Sequence, residues 1–264
     1  MTMRLAFCAL VASITFLSMT AISDAATSIG KVVAVLGSPS ASGPGGDRAL
    51  KAGGAVFEDD KITVRNGNAQ IILNDNTRLV VGPGSTLVLE KFLMKGGNTA
   101  QKVSIKALRG TFRFITGRSA KKAYDIQTAS ATVGIRGTAF DCWVRGETGC
   151  AVLQGVVNLS SGKKSVNLQD DCEVGRAGGG KAVELGLRVA GQNINQNLPY
   201  ILNQLSLRPQ FRLEIRKCDA ALDKANAGQN EGGGGGGQEP QGPQEPQGQG
   251  GGCDGTCNGK ENPG

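Results

Sequence analysis

The feature that most constrains the fold is a regular alternation of short β-prone runs and turn residues between residues 32 and 183. In residues 70–89, three apolar runs recur about every eight residues, with polar or Gly-Pro-Gly turns between them. An average helix of about 11 residues has no room in such a pattern. The sequence therefore predicts an all-β domain of about a dozen short strands, and the spacing leaves a sandwich, a barrel and a β-solenoid-like stack open.

Ten runs carry this prediction. They are residues 70–73, 78–81, 86–89, 103–106, 111–115, 124–128, 139–144, 151–153, 156–159 and 165–168.

The pattern changes after residue 187. Phe211, Ile215, Cys218 and Leu222 recur at helical spacing, which predicts a helix over about residues 209–227, preceded by a short helix around residues 198–205. Residues 228–264 are rich in Gly, Gln and Pro and cannot bury a core, so we expect a disordered tether. The predicted order is a signal peptide (1–26), the β domain (27–187), a helical segment (188–227) and the tail (228–264).

The N-terminus has the pattern of a secretory signal. Arg4 precedes an apolar run over residues 5–19, and small residues before Ala26 suit cleavage. No second run is long enough to cross a membrane. We therefore expect a periplasmic or secreted mature chain without a transmembrane segment.

Removing that leader takes Cys8 with it and leaves an even number of cysteines, which in an exported chain suggests disulfides. They are Cys142, Cys150, Cys172, Cys218, Cys253 and Cys257. Cys142 and Cys150 lie at equal distances from Gly146 in a predicted hairpin, so they are expected to face each other. By elimination, Cys172 pairs with Cys218 and Cys253 with Cys257, although the last two could instead form a redox or metal pair.

The chain contains no His, which excludes every mechanism built on a His base or a His metal ligand. Carboxylate pairs could still act, as in glycosidases. The candidates Asp59, Asp60, Asp75, Asp170 and Asp171 all lie in turn-like segments, and nothing indicates that two of them converge. We therefore predict no enzymatic activity, no catalytic or metal site and no cofactor.

Several blocks resemble the periplasmic domain of the FecR family. The most specific block is residues 124–140, which resembles the family signature of a Thr-Pro step followed by an apolar-Arg-Gly-Thr-x-Phe run; residues 50–63, 70–89 and 152–159 resemble other family segments. The signature positions are Thr128, Val133, Arg136, Gly137, Thr138 and Phe140. Ala129 stands where the family usually has Pro, and Asn76 follows Asp75 where Gly is usual.

Signalling members of the family resemble three-part proteins, with a cytoplasmic anti-sigma segment, a membrane helix and this domain. Here only the predicted leader precedes the domain, so the resemblance implies the extracytoplasmic module alone, with a β-solenoid-like stack.

Arg136 permits two interpretations. The flanking glycines allow a tight bend, and Thr138 can bond to the local backbone, so Arg136 is expected either to clamp a turn or to contact an anion from an exposed position. We favour the clamp.

A basic face is the second candidate site. Nine basic residues and one acidic residue lie between Glu90 and Lys122. Strand alternation, with a phase slip near Ala107, predicts that four of them share an outer face. They are Lys102, Lys106, Arg109 and Arg113. Such a face attracts anionic polymers, although it could equally be a solvated surface that discourages aggregation.

Two functions follow from this reading. The first is a non-enzymatic protein-interaction or sensory adaptor at the cell envelope, with an unidentified envelope protein as partner. The alternative is a structural envelope or matrix protein that binds anionic polymers through the basic face. The chain has too few aromatic residues for a nucleic-acid stacking surface, and the sequence does not predict an oligomeric state.

Overall fold

A computed structural model describes residues 26–169, 172–185 and 197–215, together with the single residues 218 and 223. Within these ranges the chain forms fifteen strands. They are β1 (Ser28–Leu36), β2 (Ser40–Ser42), β3 (Arg48–Ala49), β4 (Ala55–Phe57), β5 (Lys61–Val64), β6 (Asn68–Leu73), β7 (Arg78–Val81), β8 (Ser85–Gly96), β9 (Thr99–Ile115), β10 (Tyr124–Thr128), β11 (Thr132–Arg145), β12 (Glu147–Ser161), β13 (Lys164–Leu168), β14 (Val174–Gly178) and β15 (Lys181–Leu185).

All fifteen strands belong to one mixed sheet that does not close into a barrel. Its main path runs β15-β14-β12-β11-β10-β9-β7-β6-β1-β4, and β2, β3, β5, β8 and β13 pair beside this path. Only β9 and β10 pair in parallel; the other pairs are antiparallel. The prediction of an all-β domain is confirmed.

The central strands are longer than the sequence predicts. Residues 103–106 and 111–115, predicted as two strands, both belong to β9. Gly110 lies between them with φ +91° and marks an irregularity inside one strand rather than its end. The first half of β9 pairs with β8 and the second half with β7 and β11, so one strand joins two parts of the sheet.

The two faces of the sheet bury different clusters around β11 and β12. One face contributes Phe140, Val152 and the Cys142–Cys150 pair to the main core. The alternate residues, among them Trp143 and Leu153, belong to a second cluster on the opposite face. This part of the sheet is therefore covered on both sides.

Residues 197–215, here called the C-terminal strap, cover that second face. The strap contains an α-helical turn, α1 (Pro199–Leu202), and two 3-10 turns, Gln204–Ser206 and Pro209–Phe211. Leu198 and Ile201 join the Trp143 cluster, while Tyr200 and Phe211 form a third cluster with Val80.

The helical region around residues 198–205 is therefore confirmed, but the long helix predicted over residues 209–227 is wrong at its start. Pro209–Phe211 is a single 3-10 turn and Arg212 is extended, with φ −81° and ψ 153°, whereas Cys218 and Asp223 are helical as predicted. Phe211 is fully buried against the sheet, and its carbonyl accepts a hydrogen bond from Arg113, so tertiary contacts override the helical spacing. Leu222 and residues 216, 217, 219–221 and 224–227 of this prediction lie outside the described residues, as do residues 1–25 of the leader and the whole tail. No helix in the described residues is long and apolar enough to span a membrane.

Candidate functional site

The signature segment forms a kink shared by β11 and β12. Gly137 has φ +66° and Gly155 φ +81°, and the pairing register shifts between Arg136 and Ala139. A Cβ atom on Gly155 would lie 2.2 Å from the Gly137 carbonyl oxygen. Both the backbone angle and the close approach therefore require glycine at residue 155.

Four signature side chains are buried and support this kink. Phe140 stacks on Phe114, with 5.4 Å between ring centroids, and Val133 lies in the same core. The Thr128 hydroxyl bonds to the Ala131 backbone and to the Thr148 hydroxyl. Thr138 was expected to bond to the local backbone through its side chain, but its hydroxyl has no partner among the described residues.

Arg136 is the exception among the signature residues. Its side chain is exposed and forms no hydrogen bond or ion pair with any described residue, so the described part of the chain offers the expected clamp no partner. The alternative, an exposed arginine available to an anion, agrees with its position.

Arg136 borders a surface groove of about 390 Å³. The groove is lined by Gly134, Ile135, Arg136, Val156, Asn158, Asn167 and Gln169. The Asn158 amide donates to the Asn167 side-chain oxygen at 2.7 Å, which holds two walls of the groove together. A planar guanidinium beside fixed amides suits a carboxylate, which an arginine can bind with two parallel hydrogen bonds.

The amide lining was missed by the sequence reasoning, although a signal for it existed. Asn158 lies opposite Gly134 and also opposite Asn167 in the sheet register. Both asparagines fall in predicted strands, where alternation places them away from their apolar neighbours. Pairing these strands from the sequence would have brought the two amides next to Arg136.

The predicted basic face is not continuous. Lys102 lies 3.7 Å from Asp125 and Lys106 lies 3.9 Å from Glu90, so each has an acidic neighbour. Arg109 is exposed and donates from Nε to the Thr86 hydroxyl at 3.3 Å. Arg113 does not belong to this face, because its side chain is fully buried.

Arg113 instead holds the strap to the sheet. Its Nε donates to Asp141 Oδ1 at 2.6 Å and its Nη2 to Asp141 Oδ2 at 2.8 Å. Its Nη1 reaches the Gln204 side-chain oxygen at 2.7 Å and the Phe211 carbonyl at 3.2 Å. The predicted alternation is correct for this residue, but the strap covers the face to which it points.

Of the three acidic candidates in the described ranges, Asp60 and Asp75 have structural partners, whereas Asp59 is exposed in a turn with φ +63°. Asp60 pairs with Arg48 and accepts from the Phe57 backbone N–H, and both its oxygens are buried. Asp75 is buried and accepts from Thr77, Ser119 and Tyr124. Asp170 and Asp171 lie outside the described residues. No group of three potential metal ligands occurs in the part of the chain that the structure describes.

Two disulfides join described cysteines. Cys142 pairs with Cys150 directly across the β11–β12 hairpin, with Cα atoms 4.1 Å apart, as the hairpin geometry predicts. Cys172 pairs with Cys218, which links the end of the strap region to the sheet. Cys253 and Cys257 lie outside the described residues.

Comparisons with known proteins find one family that resembles the part of the chain containing Arg136. The family described as FecR protein matches residues 59–158, which include Arg136 and the groove residues up to Asn158. Among curated proteins, none matches the chain. Two crystal structures, at 2.50 and 1.65 Å resolution, of a "putative anti-sigma factor" from Parabacteroides distasonis are similar over 50% of this chain, with 17% and 15% identity and TM-scores of 0.41 and 0.38. The match spans 62% and 63% of those chains, less than two thirds of their length. Residues 59–158, the segment that matches the FecR family, thus include the signature, the kink and the exposed arginine.

Proposed function

We propose that the protein is a non-enzymatic, extracytoplasmic sensory or adaptor module that binds a partner protein through the Arg136 groove. The observation that carries this proposal is the contrast inside the signature. The other signature side chains are buried, whereas Arg136 is exposed and has no partner among the described residues. A buried residue serves the fold, but an exposed arginine in a groove is available for recognition.

The groove also suggests the chemistry of the contact. Its amides and the Arg136 guanidinium offer donors to an acidic side chain or a terminal carboxylate, and Ile135 and Val156 add apolar surface. The backbone kink at Gly137 and Gly155 fixes the start of the groove without help from a ligand. A preformed site of this kind loses little conformational entropy on binding.

An extracytoplasmic location is supported by the cysteine chemistry. Both disulfides of the described chain are buried within the protein, and such bonds persist in oxidising compartments. The predicted leader, which would direct the mature chain to the periplasm or out of the cell, is consistent with this location.

In vivo cross-linking tests the proposal. The tagged mature protein, an Arg136→Gln variant and an Arg118→Gln control are cross-linked in living cells, washed in high salt and recovered for mass spectrometry. Arg118 is also exposed but does not line the groove. We expect one stoichiometric protein partner with the wild type and the control, reduced at least tenfold by Arg136→Gln. Equal recovery with all three proteins would contradict a role for the groove.

A structural envelope or matrix role, with binding to anionic polymers, is the second candidate function. The predicted four-residue face supports it less than expected, because Arg113 is buried and Lys102 and Lys106 have acidic neighbours. Its support comes instead from Lys61 on β5, Arg65 just after the end of β5, and Arg109 on β9.

A further inference from the structure

The outer face of strands β2, β5, β8 and β9 carries a row of cations that the sequence reasoning did not bring together. Lys61, Arg65 and Arg109 are exposed, and none forms an ion pair with a described residue. We call these three residues the cationic stripe. The sheet register aligns Thr63 with Thr86 and Thr86 with Arg109, so β5 and β9 contribute to the same surface.

Two grooves run along this stripe and meet at one residue. The first, of about 510 Å³, is lined by Gly37, Ser38, Ser40, Thr63, Arg65 and Asn66. The second, of about 310 Å³, is lined by Lys61, Thr63, Thr86, Leu108 and Arg109. Because Thr63 lines both, they form one continuous surface. Lys61 and Arg65 lie four residues apart, or roughly 13 Å along an extended strand.

The wall of the first groove is rigid. A Cβ atom on Gly37 would lie 2.5 Å from the Asn66 carbonyl oxygen, and one on Gly67 would lie 2.0 Å from the Leu36 carbonyl oxygen. Both glycines have positive φ, +75° and +81°. The two turns that flank the groove are therefore packed backbone against backbone, and the site exists before any ligand arrives.

The lining selects the class of ligand. Hydroxyl and amide groups from Ser38, Ser40, Thr63 and Asn66 alternate with guanidinium and ammonium groups. Such a surface can bond both to the hydroxyls and to the anionic groups of a polymer. No exposed large apolar side chain lines either groove, whereas insertion at a lipid interface needs apolar side chains beside the cations.

We propose that the cationic stripe binds an extended anionic polysaccharide, with the three cations on its carboxylates or sulfate esters and the hydroxyl and amide side chains on its sugar hydroxyls. The inference rests on the second candidate function and does not involve the Arg136 groove.

Binding of the full mature chain to immobilised polygalacturonate and dextran sulfate tests the inference, with neutral dextran as the uncharged polymer. The variant Lys61→Gln/Arg65→Gln/Arg109→Gln removes the stripe. The control Lys51→Gln/Lys163→Gln/Lys181→Gln removes the same charge from exposed lysines that line neither groove. Because all six side chains are exposed, circular dichroism should show unchanged folds.

We expect the wild type and the control to bind one or both anionic polymers, and neutral dextran to bind neither protein. The stripe variant should bind about eightfold to about a hundredfold more weakly, since three exposed ionic contacts of about two- to fivefold each multiply. Wild-type binding should also weaken steeply between about 0.05 and about 0.5 M salt. Binding to polygalacturonate alone assigns carboxylates, and binding to dextran sulfate alone assigns sulfate esters.

Three results would overturn the inference. The first is an equal loss of polymer binding in the stripe variant and the control, and the second is undiminished polymer binding by the stripe variant. The third is wild-type binding to phosphatidylglycerol vesicles with no binding to either polymer. Arg136→Gln should bind the polymers as the wild type does, so failure of the protein-partner proposal leaves this test intact.

Discussion

At the residue scale, the Arg113–Asp141 pair is the contact with the greatest consequence for stability. Both side chains are buried, and their two parallel hydrogen bonds are joined by bonds to the strap. A buried ion pair often contributes little relative to apolar residues of the same volume, but removing one partner leaves an uncompensated charge in the interior. The pair therefore makes the strap and the sheet depend on each other.

We expect Arg113→Met to lower the free energy of unfolding by about 3 to 5 kcal/mol, because Asp141 would remain buried without its partner. Chemical denaturation followed by circular dichroism measures this loss. The double variant Arg113→Met/Asp141→Leu should recover most of it, since no unpaired charge remains. A double variant as unstable as the single one would show that the hydrogen bonds to the strap, and not the ion pair, dominate.

Arg113 and Arg136 show how much the sequence predicts about a single side chain. Alternation correctly predicts that Arg113 points away from Phe112 and Phe114, but it cannot tell that residues almost a hundred positions later cover that face. For Arg136, the glycines on either side correctly indicate a kink, while its lack of a bonded partner among the described residues depends on strand pairing. The local sequence pattern thus predicts which way a side chain points, whereas only the tertiary structure determines whether that side chain is exposed.

At the scale of elements, the strap is held by three kinds of contact. Leu198 and Ile201 pack beside Trp143, Arg113 bonds to Gln204 and Phe211, and Cys172–Cys218 closes a link across 46 residues. Trp143 itself lies over Gly149, where a Cβ atom would meet the indole ring at 1.9 Å. The ring is therefore held between β12 and the strap.

We expect Cys172→Ala/Cys218→Ala to lower the free energy of unfolding by about 4 kcal/mol, the chain-entropy value for a 46-residue loop. Cys142→Ala/Cys150→Ala serves as the control, because its eight-residue separation corresponds to about 2.5 kcal/mol. Denaturant unfolding compares the two. The emission of Trp143, the single tryptophan of the chain, should shift to longer wavelength only where the strap detaches. An equal cost for both pairs would contradict the loop-length argument.

The sequence predicts an element correctly where turns mark both of its ends. It does not do so where tertiary contacts determine the conformation of the chain. Residues 78–81 form β7 as predicted, since polar and Gly-Pro-Gly turns stand on both sides. The break expected within β9 is only a local irregularity at Gly110, because the pairing continues on a different partner strand. The helical spacing after Pro209 correctly marks Phe211 and Cys218 as buried, but the chain is extended and not helical at Arg212.

At the scale of the whole molecule, the sheet and the strap share buried contacts and are packed together. The strap supplies residues to two of the three apolar clusters. Arg113 on the sheet also donates a hydrogen bond to the Phe211 carbonyl in the strap. Two sites lie on the outside of this system, the Arg136 groove and the cationic stripe, and their linings share no residue. The fold thus presents two independent surfaces on one cooperative unit.

The two tyrosines of the chain report on that cooperativity, because one lies in the sheet and the other in the strap. Burial raises the pKa of Tyr124, and the nearby Asp75 carboxylate raises it further. Burial also raises the pKa of Tyr200 well above its usual value. Since both folded-state pKa values exceed the unfolded value of about 10, each contribution to stability is complete below that pH and is lost as the pH rises towards the folded-state values.

We therefore expect alkaline unfolding in which neither phenol ionises until the sheet is lost. Tyr124→Phe and Tyr200→Phe leave one phenol each, so phenolate absorbance near 295 nm follows the strap in the first variant and the sheet in the second. Both should rise at the pH where the circular dichroism of that same variant collapses, and above the usual range of tyrosine. If the Tyr200 phenolate formed while the sheet signal persisted, the strap would open on its own, and the sheet and strap would not be one cooperative unit.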